Sequence, residues 1–508
     1  MRAIKYYFSS KSKCNFLNPP LKGIVTLYMD SYSLPRHMYW ASAIALYGIL
    51  AFFSFNALTE SPPTWFDEGI YLQVAMNNAL HGAQEIQLAP NSFASTAFVT
   101  GGYPFLKPIS WSFSFFSFGV LQARLVMVLF IFACVSAFFF LSRALFGNTI
   151  ALLTLLLLVT FPPLYGQGKN VLGEVPGLFF LAVFLFSVHA LEKRAYEGPW
   201  WYILAGITAG LCVSTKPIFF LIGGAVLIAI LLHRHRITFR WNQIAVGVCA
   251  FLVPLSYWLF QQFGQGDTVA QVLGYYANPY DVQNLNAQML TNALRFVHET
   301  SPMYFLGILA TWVASCVIRL WRRLPISFTE TVAISFSLLV LVAYLRTAGW
   351  YRYYFVAEIP ALVFFPFALQ TIARTWKNSY APYLAIGVAL LLVLVQSYQL
   401  LFTSWVAVHA SRTTTHELQT YMATLPSEST YFFYNVPAAV IFLPSQNYYQ
   451  YLELTPIKKL GVEFLPLLKE GTPGYVITDG RRWQGASSTF SHYSIIKTID
   501  DLIIAKRN

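Results

Sequence analysis

The sequence predicts a polytopic α-helical membrane protein with about eleven spans, followed by a small C-terminal α/β domain. Three observations carry that class. The 508 residues are 56% hydrophobic and 17% aromatic, with a mean hydropathy of +0.54. Only 11% are charged, against about a quarter in soluble domains. Apolar runs of bilayer-crossing length, roughly 17–25 residues, recur as far as Phe402, with Lys and Arg in short clusters between them. The formal charge of +12 would suit a nucleic-acid partner, but its distribution is that of cytosolic loops in a membrane protein. No nucleic-acid partner is expected; membrane lipids are.

Residues 1–38 form a basic leader with Arg2, Lys5, Lys11, Lys13, Lys22 and Arg36. It is expected to stay cytosolic, making the first span, 39–58, a signal anchor. The membrane core is expected over 39–403, with long outer loops at 59–120 and 261–302. Span two, 123–141, ends at Arg143 in SRALFGN; span three, 149–164, returns outward. Span four, 175–191, ends in EKR. Spans five and six, 201–214 and 218–232, make a hairpin around Thr215-Lys216-Pro217. HRHRITFR marks the cytosol again, before span seven, 244–260. Span eight ends at RLWRR, nine covers 331–345, ten covers 355–372 before ARTWKN, and eleven covers 382–402. An odd number of spans places residues 404–508 outside the cell. There HELQTYMATL reads as a helix, and STYFFYN, GYVITDG and YSIIKTI read as strands. About a hundred residues suffice for a core of their own. The five cysteines, Cys14, Cys134, Cys212, Cys249 and Cys316, show neither CxxC nor metal-ligand spacing, so neither disulfides nor a zinc site is expected.

Chemistry concentrates just after the first span, in Trp65–Tyr71, WFDEGIY. Asp67 and Glu68 are paired acids in a charge-poor chain, and intramembrane or membrane-edge acids are costly without a use. On a helix they point about 100° apart, so one can take a proton while the other positions a group or binds a cation. Alternatively they begin a helix and interact with its dipole. Glu174, in GKNVLGEVPG, lies on the same predicted face; it too reads either as a site acid or as a helix-start acid before Pro176. Lys107, Lys216, Arg346 and Arg352 are outer-face cations suited to a phosphate at the headgroup boundary, or to snorkelling toward lipid. Trp350, Tyr351, Tyr353 and Tyr354 read as an interfacial aromatic belt, or as a surface for a sugar or lipid. His81 and His298 have no ligand-spaced partner and read as surface histidines.

Several motifs follow one another in a fixed order. Asp67-Glu68-Gly69-Ile70-Tyr71 is a DE-x-x-Y motif, followed by Lys107-Pro108, Arg124, an R-x-LFG turn from Arg143 to Gly147, and Pro162-Pro163. Glu174, then Gly206, Gly210 and Lys216, then Arg352, Tyr353 and Pro360 complete the series. In this order the chain resembles the GT-C membrane glycosyltransferases, in particular the branch of protein O-mannosyltransferases and lipid A aminoarabinose transferases. Ile109 stands where that branch usually has a second proline, and Lys169 where Arg is common. The resemblance implies a plasma (inner) membrane enzyme, with its site on the extracytoplasmic face. It implies sugar transfer from a polyprenyl-phosphate carrier to a lipid, glycan or protein acceptor, with inversion. Asp67, with Glu68 and Glu174, is then the catalytic set; Lys107, Lys216, Arg346 and Arg352 hold the donor phosphate; Tyr71 and Tyr353 line the substrate. No cofactor is implied with certainty, and a divalent metal stays unassigned. Two other classes remain open: a transporter or lipid-linked-sugar flippase, and a non-catalytic scaffold. Ionisable residues at loop–span junctions, without repeated halves, weigh against the first. The intact acids weigh against the second.

Overall fold

The computed structural model describes residues 35–96, 99–235, 240–263, 284–375, 380–443, 446–454 and 463–508. The basic leader up to residue 34 (with Cys14), residues 264–283 of the second long loop, and parts of the HRHRITFR and ARTWKN clusters lie outside the described residues.

The chain opens with α1 (Arg36–Phe55), then the first long loop folds into α2 (Phe66–His81), the hairpin β1 (Glu85–Ala89) and β2 (Ser92–Ser95), and α3 (Tyr103–Phe116). The bundle continues through α4 (Val120–Phe146), α5 (Asn148–Val159), α6 (Pro162–Lys169), α7 (Glu174–Lys193) and α8 (Pro199–Thr215). After a 3₁₀ turn at Pro217–Phe220 come α9 (Leu221–His233), α10 (Trp241–Phe263), α11 (Leu285–His298), α12 (Thr300–Trp321), α13 (Phe328–Leu345), α14 (Arg352–Thr375) and α15 (Ala381–Tyr398).

Every expected span is helical, but fewer helices reach crossing length. Among the described residues eight are long and apolar enough to span a bilayer, or nine if the bent pair α5–α6 is one span. That pair meets at 62°, where Pro162 and Pro163 withdraw amide donors. The hairpin falls short because α8 has 17 residues and Lys216-Pro217 breaks the run before either helix reaches the ~20 residues a hydrocarbon layer needs.

The C-terminal unit holds α16 (Trp405–His409), α17 (Thr414–Met422), β3 (Tyr431–Tyr434), α18 (Pro437–Val440), β4 (Tyr448–Tyr451), α19 (Phe464–Gly471), β5 (Tyr475–Asp479), α20 (Gly480–Gly485), β6 (Tyr493–Ile499) and β7 (Leu502–Arg507). Its five strands lie in the order β4-β3-β5-β7-β6. The β3 strand runs parallel to β4 and β5, while β7 is antiparallel to β5 and β6. Side chains alternate across the sheet. Phe432 and Val476 pack with Leu468 and Phe490 on one face. Tyr431, Phe433, Tyr475, Ile477 and Ile504 face the other way, into one core with Leu72, Val74, Ile86 and Phe105 of the first long loop. The unit therefore has only half a core to itself. Its second face is completed by residues over three hundred positions earlier, a union that strand patterning alone does not reveal.

Candidate active site

The first turn of α2 carries Asp67 and Glu68, which favour the positive end of a helix dipole. Their side chains diverge, as adjacent helical positions must. Glu68 turns into the protein and is fully buried. Its oxygens take the Arg124 fork at 2.9 and 2.7 Å, the Val171 amide at 3.0 Å and the Trp65 amide at 3.3 Å. Arg124 in turn donates to the Leu58 and Pro62 carbonyls, each at 2.8 Å, and to Asn170 Oδ1 at 2.8 Å. Lys169 ties the same turn, donating to the Asn56 and Ser61 carbonyls at 2.8 and 3.0 Å.

Asp67 turns the other way and pairs with Arg352, the first residue of α14. The guanidinium lies 4.7 Å from the Trp350 ring centre and 5.2 Å from that of Tyr353, and donates to the Tyr353 hydroxyl at 3.3 Å. Arg352 Nε is buried and has no hydrogen-bond partner among the described residues. Glu174, the first residue of α7, accepts from Lys216 Nζ at 2.5 Å through Oε1, while its buried Oε2 has no partner among the described residues. Lys216 Nζ sits 5.8 Å from the Tyr71 ring centre, and the Tyr71 hydroxyl hydrogen-bonds Thr100 at 2.9 Å. Burial and the nearby Asp67 carboxylate push the Tyr71 phenol well up, against the opposing pull of Arg352; it stays protonated. Asp67, Tyr71, Glu174, Lys216 and Arg352 thus form one cluster, drawn from α2, α7, the α8–α9 break and α14.

The break bearing Lys216 is held to the first loop by Gly102, whose amide donates to the Thr215 carbonyl at 3.1 Å. A Cβ there would lie 1.7 Å from the Ser214 carbonyl oxygen, so only glycine permits the approach.

Two expected donor-site cations make no contact with this cluster among the described residues. Lys107 donates to Asn78 Oδ1 at 2.8 Å, eleven residues along α2 from Asp67 and hence about 16 Å down its axis. Arg346, at the end of α13, is exposed and makes no side-chain hydrogen bond among the described residues. Tyr353 lies beside Arg352, and Trp350 stacks on it at 5.9 Å. The aromatic stretch is thus not a simple belt: Tyr354 is buried among Phe305 and Tyr344, because the α14 helix turns it inward. His81 and His298 are exposed at helix ends. Among the described residues no three His, Cys, Asp or Glu converge as a metal group. Arg124 and Asn170 were the residues least legible as partners of the acid pair. Only the place of Arg124 in the motif series pointed to it.

The bundle, the charge cluster at one end and the sheet unit packed over it define a class: the fold is that of a membrane glycosyltransferase. Residues 108–258 match the family described as dolichyl-phosphate-mannose-protein mannosyltransferase, a stretch containing Arg124, Glu174 and Lys216 but neither Asp67 nor Arg352. In fold the chain is similar to ArnT from Cupriavidus metallidurans in the apo state, with a TM-score of 0.64 at 14% identity, over 93% of this chain and 98% of that one. The same ArnT bound to undecaprenyl phosphate is similar at 16% identity and a TM-score of 0.60, with the same coverage. The apo oligosaccharyltransferase of Archaeoglobus fulgidus is similar at 14% identity and a TM-score of 0.56, over 89% of this chain and 71% of that one. Among curated proteins, none matches by sequence. A transporter or flippase is not favoured by these likenesses.

Proposed function

We propose that this protein moves a sugar from a polyprenyl-phosphate carrier to an acceptor nucleophile at the membrane face bearing the first long loop, with Asp67 as general base. The acceptor atom attacks the anomeric carbon and gives its proton to Asp67. The bond from that carbon to the phosphate oxygen breaks, and the carrier leaves with the electron pair. A single displacement inverts the anomeric centre. The leaving phosphate needs cations rather than a general acid, and Arg352 and Lys216 supply them. Glu174 Oε2 is free to accept a hydroxyl of the sugar. Glu68 positions α2 rather than reacting, since its oxygens are occupied by Arg124 and backbone amides.

One observation carries this reading. Two carboxylates and two cations converge in a largely buried cluster that, among the described residues, retains unpaired polar atoms on Arg352 and Glu174. The ArnT relative is described bound to undecaprenyl phosphate and the archaeal AglB in complex with a dolichol-phosphate, lipid phosphates of the class such cations suit. Basic residues at the opposite helix ends, Arg143, Lys193, Arg240 and Arg319, favour that end as cytosolic, and so an extracytoplasmic site in the plasma membrane.

The test is release of free polyprenyl phosphate by the detergent-purified protein, supplied with polyprenyl-phosphate sugars and envelope extract as acceptor. Turnover in the wild type, lost in Asp67→Asn, is the expected result. Equal turnover in both would remove Asp67 from the mechanism. Movement of intact carrier-linked sugar without bond cleavage would replace the transferase reading with the flippase.

A further inference from the structure

Another buried carboxylate lies near the site and takes no part in the chemistry above. Glu358 sits in the second turn of α14 and is 1% exposed. An acid inside a spanning helix is expensive and is retained for a use. Its partner is Tyr351, whose hydroxyl donates to Glu358 Oε2 at 2.5 Å. Tyr351 precedes the helix, and its carbonyl accepts the Tyr354 and Phe355 amides at 3.2 Å each. Positions 351 and 358 are seven apart, two turns along one helical face. The Tyr351 ring therefore lies back along α14, edge-on to Tyr354 at 4.8 Å, and ends on the carboxylate. Arg352, the next residue, is sent to another face, toward Asp67. Nearby, Gln396 of α15 donates to Tyr304 of α12 at 2.6 Å and accepts from Thr160, at the α5–α6 bend, at 2.7 Å. The start of α14 is thus set in a packed, partly polar layer.

We propose that Glu358 is a positioning residue for donor binding. By accepting the Tyr351 hydroxyl it holds the turn that aims the Arg352 guanidinium into the charge cluster. This rests on the assignment of Arg352 to the donor phosphate. Losing the hydrogen bond frees the turn, so the arginine must be ordered by the donor itself, and the cost falls on donor binding rather than on the displacement step.

The experiment measures donor KM and kcat in the full-length protein for Tyr351→Phe, Glu358→Leu, Glu358→Gln and Tyr351→Phe/Glu358→Leu, with Arg352→Ala as reference. Tyr351→Phe keeps the ring and should raise donor KM about ten-fold, the scale of one buried hydrogen bond, with kcat within about two-fold. Glu358→Leu should match it, and the double variant should be no worse than either single one. Glu358→Gln keeps an acceptor oxygen and should restore KM to near the wild-type value. Additive losses in the double variant, a Gln variant as poor as the Leu variant, or losses confined to kcat would each overturn the proposal. An unchanged donor KM in Arg352→Ala would remove Arg352 from donor binding and so overturn the underlying assignment. A raised KM there, with wild-type KM in Tyr351→Phe, would overturn the role of Glu358 alone.

Discussion

Two arginine–carboxylate pairs grow from neighbouring residues of one helix, and they are built to different standards. Glu68 and Arg124 are both 0% exposed, and their polar atoms are spent on each other, on the surrounding backbone and on the Asn170 side chain. Asp67 and Arg352 keep 23% and 10% exposure, and Arg352 Nε has no partner among the described residues. A fully satisfied buried pair is rigid, and removing one member leaves an uncompensated charge. A partly satisfied pair can exchange partners with a ligand at lower cost. The difference is what the proposed function calls for, with the first pair as scaffold and the second open to a substrate.

The comparison is broken or sharpened by a graded set of substitutions. Asp67→Asn should reduce turnover by about a thousand-fold, within the range general-base removal produces, while leaving the melting temperature in detergent nearly unchanged. If thermal stability fell instead, Asp67 would be scaffold too. Arg124→Leu should show the inverse, a loss of about 3–5 kcal/mol of stability from the orphaned Glu68 charge, read as a lowered melting temperature and poor membrane yield. A stable Arg124→Leu protein would show that the buried pair is dispensable. Arg352→Ala should come next, raising donor KM roughly ten- to a hundred-fold, as loss of a charged hydrogen-bond donor to phosphate does. Gly69→Val tests the union of α2 with the sheet unit, because a Cβ at Gly69 would lie 2.3 Å from the Ala438 amide nitrogen of α18. Overpacking there should cost about 1–3 kcal/mol, seen as faster proteolysis between the bundle and the C-terminal unit. Lys107→Ala should have the smallest effect, under about five-fold on donor KM, since its hydrogen bond to Asn78 is worth about 1 kcal/mol. A larger loss would bring Lys107 back to the donor phosphate.

The bond between the C-terminal unit and the acid helix is a second lesson of the same kind. Gln73 donates to the Pro437 carbonyl at 2.9 Å and exchanges amide hydrogen bonds with Gln450 at 3.2 and 2.6 Å. Glu60, just before the acid pair, accepts the Thr415 and His416 amides at 2.8 and 2.9 Å, at the start of α17. Nothing in the spacing of Gln73, Gln450 or Glu60 announces these contacts, which arise because the sheet lacks a cover for one face.

Much of the fold was legible in local pattern. The run lengths, the prolines at the α5–α6 bend and the switch to alternating Tyr, Phe and Ile in the last hundred residues each act over a few turns of chain, where hydropathy and backbone chemistry decide the outcome. The divergence of Asp67 and Glu68 also followed from helix geometry. By contrast, Asp67 meets Arg352 across 285 positions and Glu68 meets Arg124 across 56. Lys107 looked as eligible for the cluster as Lys216 until packing placed it three turns away. The sequence by itself therefore determined a helical membrane protein with paired acids just after its first span. Which acid is buried, which arginine serves which carboxylate and what covers the sheet were decided only by tertiary structure, because charges in a low-dielectric interior must find partners wherever packing brings them.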